Sequence, residues 1–267
     1  MKTTCFALFL SLAAFSATAQ TAPAFTSTCH ERNSSGSNKH FCETRDLNMA
    51  APAASGTLTI DGRANGGITV RGWDGSEVRV RAIVTTWAKS EQEARQRASA
   101  ISISTKNDKL RAEGPSSPLG DNWAVSYEVL VPRQTAVAMN TVNGGISIDG
   151  MQSNIKFDAV NGGVSLANVG GYVKGSTTNG GLHIKLAGAK WEGKGLDVAT
   201  TNGGITWELP KNYSARLYTS TNMGGISGDL PVTKTGMMSK EVTASLGQGG
   251  APVKAVTTNG GIKVNQQ

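Results

Sequence analysis

A short phrase, Asn-Gly-Gly followed by an aliphatic residue, recurs along this chain and limits what it can fold into. It stands at Asn143-Gly144-Gly145-Ile146, Asn161-Gly162-Gly163-Val164, Asn179-Gly180-Gly181-Leu182, Asn202-Gly203-Gly204-Ile205 and Asn259-Gly260-Gly261-Ile262. A variant with one inserted residue is Asn222-Met223-Gly224-Gly225-Ile226, and an outlying copy is Asn65-Gly66-Gly67-Ile68. After residue 140 the steps between first glycines are 18, 18, 23, 21 and 36 residues. Periods near 20 residues signal stacked units. The last step is twice 18, so one degenerate copy is expected inside it.

Asn and Gly tolerate positive φ, so the phrase reads as a sharp turn at low steric cost. Aliphatic–x–aliphatic follows it, as in Ile146-Ser147-Ile148 and Val164-Ser165-Leu166, and a Thr- or Val-rich run precedes it. These are short strands with one face in and one face out. A single unit cannot bury its apolar face, whereas stacked units can. Asn-Gly between alternating runs also suits hairpins. The regular step favours a solenoid, since independent hairpins need no constant spacing. The expected fold is all-β: a β-solenoid or β-helix-like stack of short strands with Asn-Gly-Gly turns.

Residues 1–19 read as a signal peptide: Lys2, an apolar run from Phe6 to Phe15, and a small-residue cleavage site Ala17-Thr18-Ala19 before Gln20. Cys5 lies too early to be a lipoprotein acceptor. No later run reaches the ~18 apolar residues of a transmembrane segment. The expected location is exported, periplasmic or at the cell surface.

In that oxidising compartment Cys29 and Cys42, the two remaining cysteines, are expected to form a disulfide. A metal site built with His30 and His40 is the sharper reading, but the spacing is poor for zinc. Residues 20–55 otherwise read as a loop-rich lead-in, and 56–267 as the β domain, with the repeat array over about 140–267.

Within that domain, Glu77 opens a long alternating strand. Val78, Val80, Ala82 and Val84 lie on one face, and Arg79, Arg81 and Ile83 on the other, the arginines as solvated charges. Ser90-Glu91-Gln92-Glu93 is a capping box opening one short helix near 90–101, expected to cover an edge or end of the strands. Strand character resumes at 101–103 and 109–112. Residues 114–120 form a loop, and 124–131 a strand stopped by Pro132.

Of the 33 glycines, 14 sit in the repeats, so glycine here is turn architecture rather than disorder. The net charge of +7 is spread without a Lys/Arg block or base-stacking motif, which argues against nucleic acid.

Several features in order resemble the bacterial putative-adhesin domains related to head-GIN-type domains. They are Val70-Arg71-Gly72-Trp73-Asp74-Gly75, the Ser90-to-Ala100 helix, Tyr127-Glu128-Val129-Leu130-Val131-Pro132-Arg133, the Asn-Gly-Gly array, and Ser245-Leu246-Gly247-Gln248-Gly249-Gly250. The resemblance covers roughly Gly56 to Val264 and implies an exported β-solenoid-like domain with no catalytic residues to carry over.

Parallel β-helices also host polysaccharide-cleaving enzymes, which generally need two carboxylates facing one cleft. Asp149 and Glu208 share an offset from their glycine pairs, but two copies lie between them. Three coil steps of ~4.8 Å would separate them by ~14 Å. His183 alternates outward as a solvated residue, and Trp191 and Trp207 read as core rather than sugar platforms. No nucleophile elbow, HExxH or phosphate loop is present.

The reading is therefore a non-enzymatic exported interaction module, with no catalytic, cofactor or metal residues. Cell-surface glycans or envelope proteins are its candidate partners. A carbohydrate-active enzyme and a purely structural envelope protein are the alternatives.

Overall fold

The computed structural model describes residues 22–29, 38–116, 122–231, 233–235 and 239–267. The expected signal peptide and His30 lie outside the described residues.

The chain opens with β1 (Lys39–Ala50), β2 (Thr57–Asp61), β3 (Ile68–Trp73) and β4 (Glu77–Ala88). Helix α1 (Glu91–Ser99), β5 (Ser102–Ser104), β6 (Lys109–Glu113) and β7 (Trp123–Pro132) follow. The repeats then supply pairs of strands: β8 (Ala136–Thr141) with β9 (Ile146–Asp149), β10 (Gln152–Ala159) with β11 (Val164–Ala167), and β12 (Gly170–Thr177) with β13 (Leu182–Lys185). Next come β14 (Gly195–Asn202) with β15 (Ile205–Leu209) and β16 (Ala215–Met223) with β17 (Ile226–Gly228). A hairpin of β18 (Lys234–Thr235) and β19 (Lys240–Leu246) precedes the last pair, β20 (Pro252–Asn259) and β21 (Ile262–Gln266).

Each pair is one coil, with one strand in each of two sheets and an Asn-Gly-Gly corner between them. Sheet A runs β1-β4-β7-β3-β9-β11-β13-β15-β21-β17. Sheet B runs β18-β19-β16-β20-β14-β12-β10-β8-β2-β6-β5. The coils pair in parallel, so like residues stack. In sheet A the residue after each corner forms the column Ile68, Ile146, Val164, Leu182, Ile205, Ile262 and Ile226. Sheet B answers with Leu58, Val137, Ile155, Val173, Leu196, Val253 and Leu217. All but Ile226 are essentially buried. Each is worth roughly 1.5–3 kcal/mol of burial, an amount no isolated coil could collect.

The coil order departs from the sequence at two places. The outlying copy at Asn65 is a full member of the stack, because β2 and β3 pair directly with β8 and β9. Residues 74–116 and 122–135 form an excursion that wraps that end. At the other end no degenerate copy fills the long step among its described residues. Its described part is the β18–β19 hairpin, with β19 antiparallel along β16. The C-terminal coil β20–β21 then inserts between β14–β15 and β16–β17. Identical columns make that insertion possible, since any coil of this pattern fits beside any other.

The loop-rich expectation for residues 20–55 is corrected over Lys39–Ala50, which forms β1, paired antiparallel with β4 along its whole length. The alternation of β4 is as read: Val78, Val80, Ala82 and Val84 are buried. The arginines on its other face are not merely solvated. Arg79 and Arg81 lie over the Phe25 ring, and Arg81 pairs with Asp46 at 2.8 Å. Hydrogen bonding from Arg81 holds the Asp46 carboxyl below the usual carboxylate range.

Helix α1 has the capping box of Ser90 and Glu93. It buries Ala94 and Ala98, and its Ala94 carbonyl accepts from Thr86 Oγ1 at 2.8 Å. Small side chains let the helix lie close on β1 and β4 and close that end of the core.

Candidate interaction surface

The corners do not turn by left-handed backbone, as the sequence reading supposed. None of the seven Asn-Gly-Gly copies contains a residue at positive φ. The left-handed residues sit elsewhere, at the return corners Gly150 and Asn168 for example.

The first glycine of each repeat is there because the coils approach closely. A Cβ on Gly144, Gly162, Gly180, Gly203, Gly260 or Gly224 would overlap the first-glycine carbonyl of the coil beneath. In five coils a buried threonine ties that carbonyl down. Thr141 Oγ1 donates to Gly66 O at 2.6 Å, Thr177 to Gly162 O at 2.7 Å, and Thr200 to Gly180 O at 2.7 Å. Thr257 donates to Gly203 O and Thr221 to Gly260 O, both at 2.8 Å. Ala159 occupies the equivalent position in β10.

The asparagines form an exposed ladder. Nδ2 of Asn143, Asn161, Asn179, Asn202 and Asn259 each donates to Oδ1 of the asparagine one coil before, at 3.0, 2.8, 2.8, 2.8 and 2.8 Å. Asn65 starts the row. Asn222 does not join it. The inserted residue places Met223 opposite Asn259, and Met223 is 67 % exposed.

Beside the ladder lies the column of second glycines, and the residues two positions further along the chain form a row of polar side chains. Together they bound an open groove on the outer face of sheet A. Its main part has a volume of about 700 Å³, floored by Gly67, Gly145, Gly163, Gly181 and Gly204 and flanked by Thr69, Ser147, Ser165, His183 and Thr206. A smaller stretch continues past Gly261 and Gly225 to Ser227 and Lys263. Seven glycines at ~4.8 Å per coil make a trough roughly 29 Å long.

Five of these second glycines differ from the first, whereas Gly181 and Gly204 would bring a Cβ to 3.2 and 3.1 Å of the next carbonyl. A Cβ at Gly145 or Gly163 would meet its nearest neighbour at 3.4 or 3.6 Å, an ordinary contact, and at Gly225 it would meet nothing within 4 Å.

At the N-terminal end the groove stops against Ser27. Ser27 belongs to a strap, residues 22–29, laid over sheet A. The strap is held by the carboxylate of Glu128 on β7, whose side chain is fully buried. Thr26 N donates to both oxygens of Glu128 at 3.0 Å, Ser27 N donates to Oε2 at 2.6 Å, and Arg71 pairs with Oε1. Burial alone would raise the Glu128 pKa, but the donors on Thr26 and Ser27 and the charge of Arg71 outweigh it and lower the value. The strap ends in the disulfide Cys29–Cys42, with Cα atoms 5.8 Å apart. The metal alternative thereby loses its sulfur ligands, and His40 packs edge-on against Trp87 instead. Nothing in the local sequence around Glu128 marked it as the strap's anchor, because its partners lie about a hundred residues away.

The acids are dispersed. Asp149 and Glu208 share a row with Ala167 and Lys185 between them, three coil steps apart, and Asn168 Nδ2 donates to Asp149 at 2.8 Å. Glu208 lies 3.5 Å from His183 and 3.9 Å from Lys185 on the neighbouring coil, contacts that only the stacking reveals. Trp191 and Trp207 are buried. Among the described residues no group of three His, Cys, Asp or Glu could hold a metal ion, and no helix is long and apolar enough to cross a membrane.

Fold and surface together define a two-sheet β-solenoid with glycine corners in register and nothing that points to catalysis. The chain belongs to the Toastrack DUF4097 family, whose model matches residues 46–265. A search of curated proteins returns no match. Among solved structures it is similar to one described as a putative cell adhesion protein from Clostridium sporogenes, at 12% identity and a TM-score of 0.44, covering 84% of this chain and 100% of that one. It is also similar to a putative lipid binding protein from Parabacteroides distasonis, at 10% identity and a TM-score of 0.36, covering 84% and 96%. A third, a putative adhesin from Bacteroides fragilis, shows 10% identity and a TM-score of 0.30, covering 84% and 97%.

Proposed function

We propose that this protein is an exported, non-enzymatic interaction module of the bacterial cell surface or periplasm, and that it lays an extended partner along the groove of sheet A. The carrying observation is the second-glycine column. Coil packing accounts for the first glycine of each repeat but leaves room for a methyl group at Gly145, Gly163 and Gly225. What a side chain there would do is fill the trough. Glycine is the residue that lets another molecule approach a backbone closely. The flanking hydroxyls of Thr69, Ser147 and Ser165 offer a donor and an acceptor at three successive coils. The adhesin names of the structural neighbours agree with an interaction role.

The test uses the mature chain on whole cells, glycan arrays and envelope-protein pull-downs, beside Gly145→Ala and Gly163→Ala. Retention by the unaltered protein, reduced in the alanine variants at unchanged thermal stability, is the expected result. Binding that ignores both substitutions would remove the groove from the account. Release of new reducing ends or unsaturated products from acidic polysaccharide would replace the whole reading with an enzyme.

A further inference from the structure

The strap has its own chemistry. It runs from Ala24, whose carbonyl accepts from Arg71 on β3 at 2.7 Å, past Thr26 and Ser27 over Glu128 on β7, to Cys29 bonded to Cys42 on β1. Phe25 sits against the guanidiniums of Arg79 and Arg81 on β4. The strap thus crosses four adjacent strands at the closed end of the groove. Its grip is largely polar. Phe25 is its one large apolar side chain, and that ring is only half-buried. Beneath it, Val80 and Val129 point into the core, while Leu130, buried on the Glu128 face of β7 opposite Arg71 and Arg79 and outside the core cluster, is the apolar side chain that lifting the strap would bare beside the charges. Glu128 would keep Arg71 as a partner. Both cysteines are half-buried rather than enclosed.

We propose that residues 22–29 are a redox-gated latch on the groove. Oxidised, the Cys29–Cys42 bond shortens the tether that holds the strap against sheet A and shuts the groove at Ser27. A dithiol reductant opens it: its two thiols become a disulfide and pass two electrons and two protons to Cys29 and Cys42, which part as thiols. The freed strap leaves Glu128, and the trough extends past Ser126 and Ile83, which already line its end. Export into an oxidising compartment would close the latch. The proposal concerns regulation of the groove and rests on reading that groove as the interaction surface.

The experiment uses the mature chain, oxidised or treated with dithiothreitol, and the double variant Cys29→Ser, Cys42→Ser. It follows chymotrypsin cleavage after Phe25, deuterium uptake at Thr26, Ser27 and 126–128, and thermal unfolding. Reduction is expected to speed cleavage by about tenfold or more, in proportion to the open population. Protection of the Thr26 and Ser27 amides should be lost while β9 to β15 keep theirs. An equally protected strap in the reduced chain and the double variant would overturn the latch. So would loss of protection throughout the coils, which would make the disulfide a general staple. These readouts need no partner. A failed latch therefore leaves the interaction surface standing, and indifference of binding to the groove variants would sink that surface whatever the strap does.

Discussion

The coil stack and the N-terminal wrap solve the same problem, joining one strand to the next, by opposite means. From β8 to β15 every step repeats one set of contacts: an aliphatic column on each inner face, glycine on glycine at the corner, and asparagine bonded to asparagine outside. In the wrap of β1, β4 and β7 no contact recurs. There the chain uses antiparallel pairing, the Arg81–Asp46 and Arg71–Glu128 ion pairs, a capped helix and a disulfide. Repetition extends a stack but cannot end it. A terminal coil presents open edges and bare core, and closing it takes chemistry that the repeat does not contain.

The sharpest break in the comparison is Gly162→Ala. Its Cβ would overlap the Gly144 carbonyl, and backbone on both sides cannot yield. A loss of about 3 kcal/mol, or failure to fold, is expected in chemical denaturation. Tolerance of alanine there would mean the coils are not in contact at their corners.

In the wrap, Glu128→Gln should cost about 2 kcal/mol, read as loss of strap protection more than of stack stability, because charged acceptors make the stronger hydrogen bonds. The same group sets a pH dependence. Its folded-state pKa lies below the ordinary 4.5, so its contribution is full at neutral pH and is lost as pH falls through the lowered value. Arg71 pairs with it and Arg81 lies opposite it across the β4–β7 pairing, both as fixed positive charges. Strap cleavage at Phe25, followed there with pepsin, should rise only in that acid window and should not do so in Glu128→Gln.

Ala159→Thr tests the stack from the other side. Ala159 is buried between Thr141 and Thr177, and a hydroxyl there would reach toward Gly144 O as its neighbours reach their glycines. A gain of about 1 kcal/mol in thermal unfolding is expected. A loss would show that the threonine row is incidental.

Gly163→Ala should be the mildest change, within about 0.5 kcal/mol, because a Cβ finds ordinary contact there and alanine restricts the unfolded chain. A large loss would erase the distinction between the two glycine columns.

Much of the stack was legible in the sequence. The apolar alternation of β4, the capping box at Ser90 and the register of the aliphatic residues after each corner are all local signals, written within a dozen residues or tied to the repeated Asn-Gly-Gly phrase. The role of the glycines was misread, because positive φ and close approach ask for the same residue and leave the same letter. The wrap was largely illegible. β1 has a polar face that reads as loop, and its pairing with β4 is set by residues some forty positions away.

By itself the sequence determined that short strands would turn at Asn-Gly-Gly and stack with like residues over like, since a period near 20 leaves each unit one apolar face to share. Only the tertiary structure decided which coils are neighbours and how the stack ends. Because the repeats are interchangeable in register, nothing local distinguishes a C-terminal coil that goes on the end from one that slides in before it. The groove and its strap belong to that second kind of information. Neither exists in any one repeat, and both arise from backbones that meet only after the chain has folded.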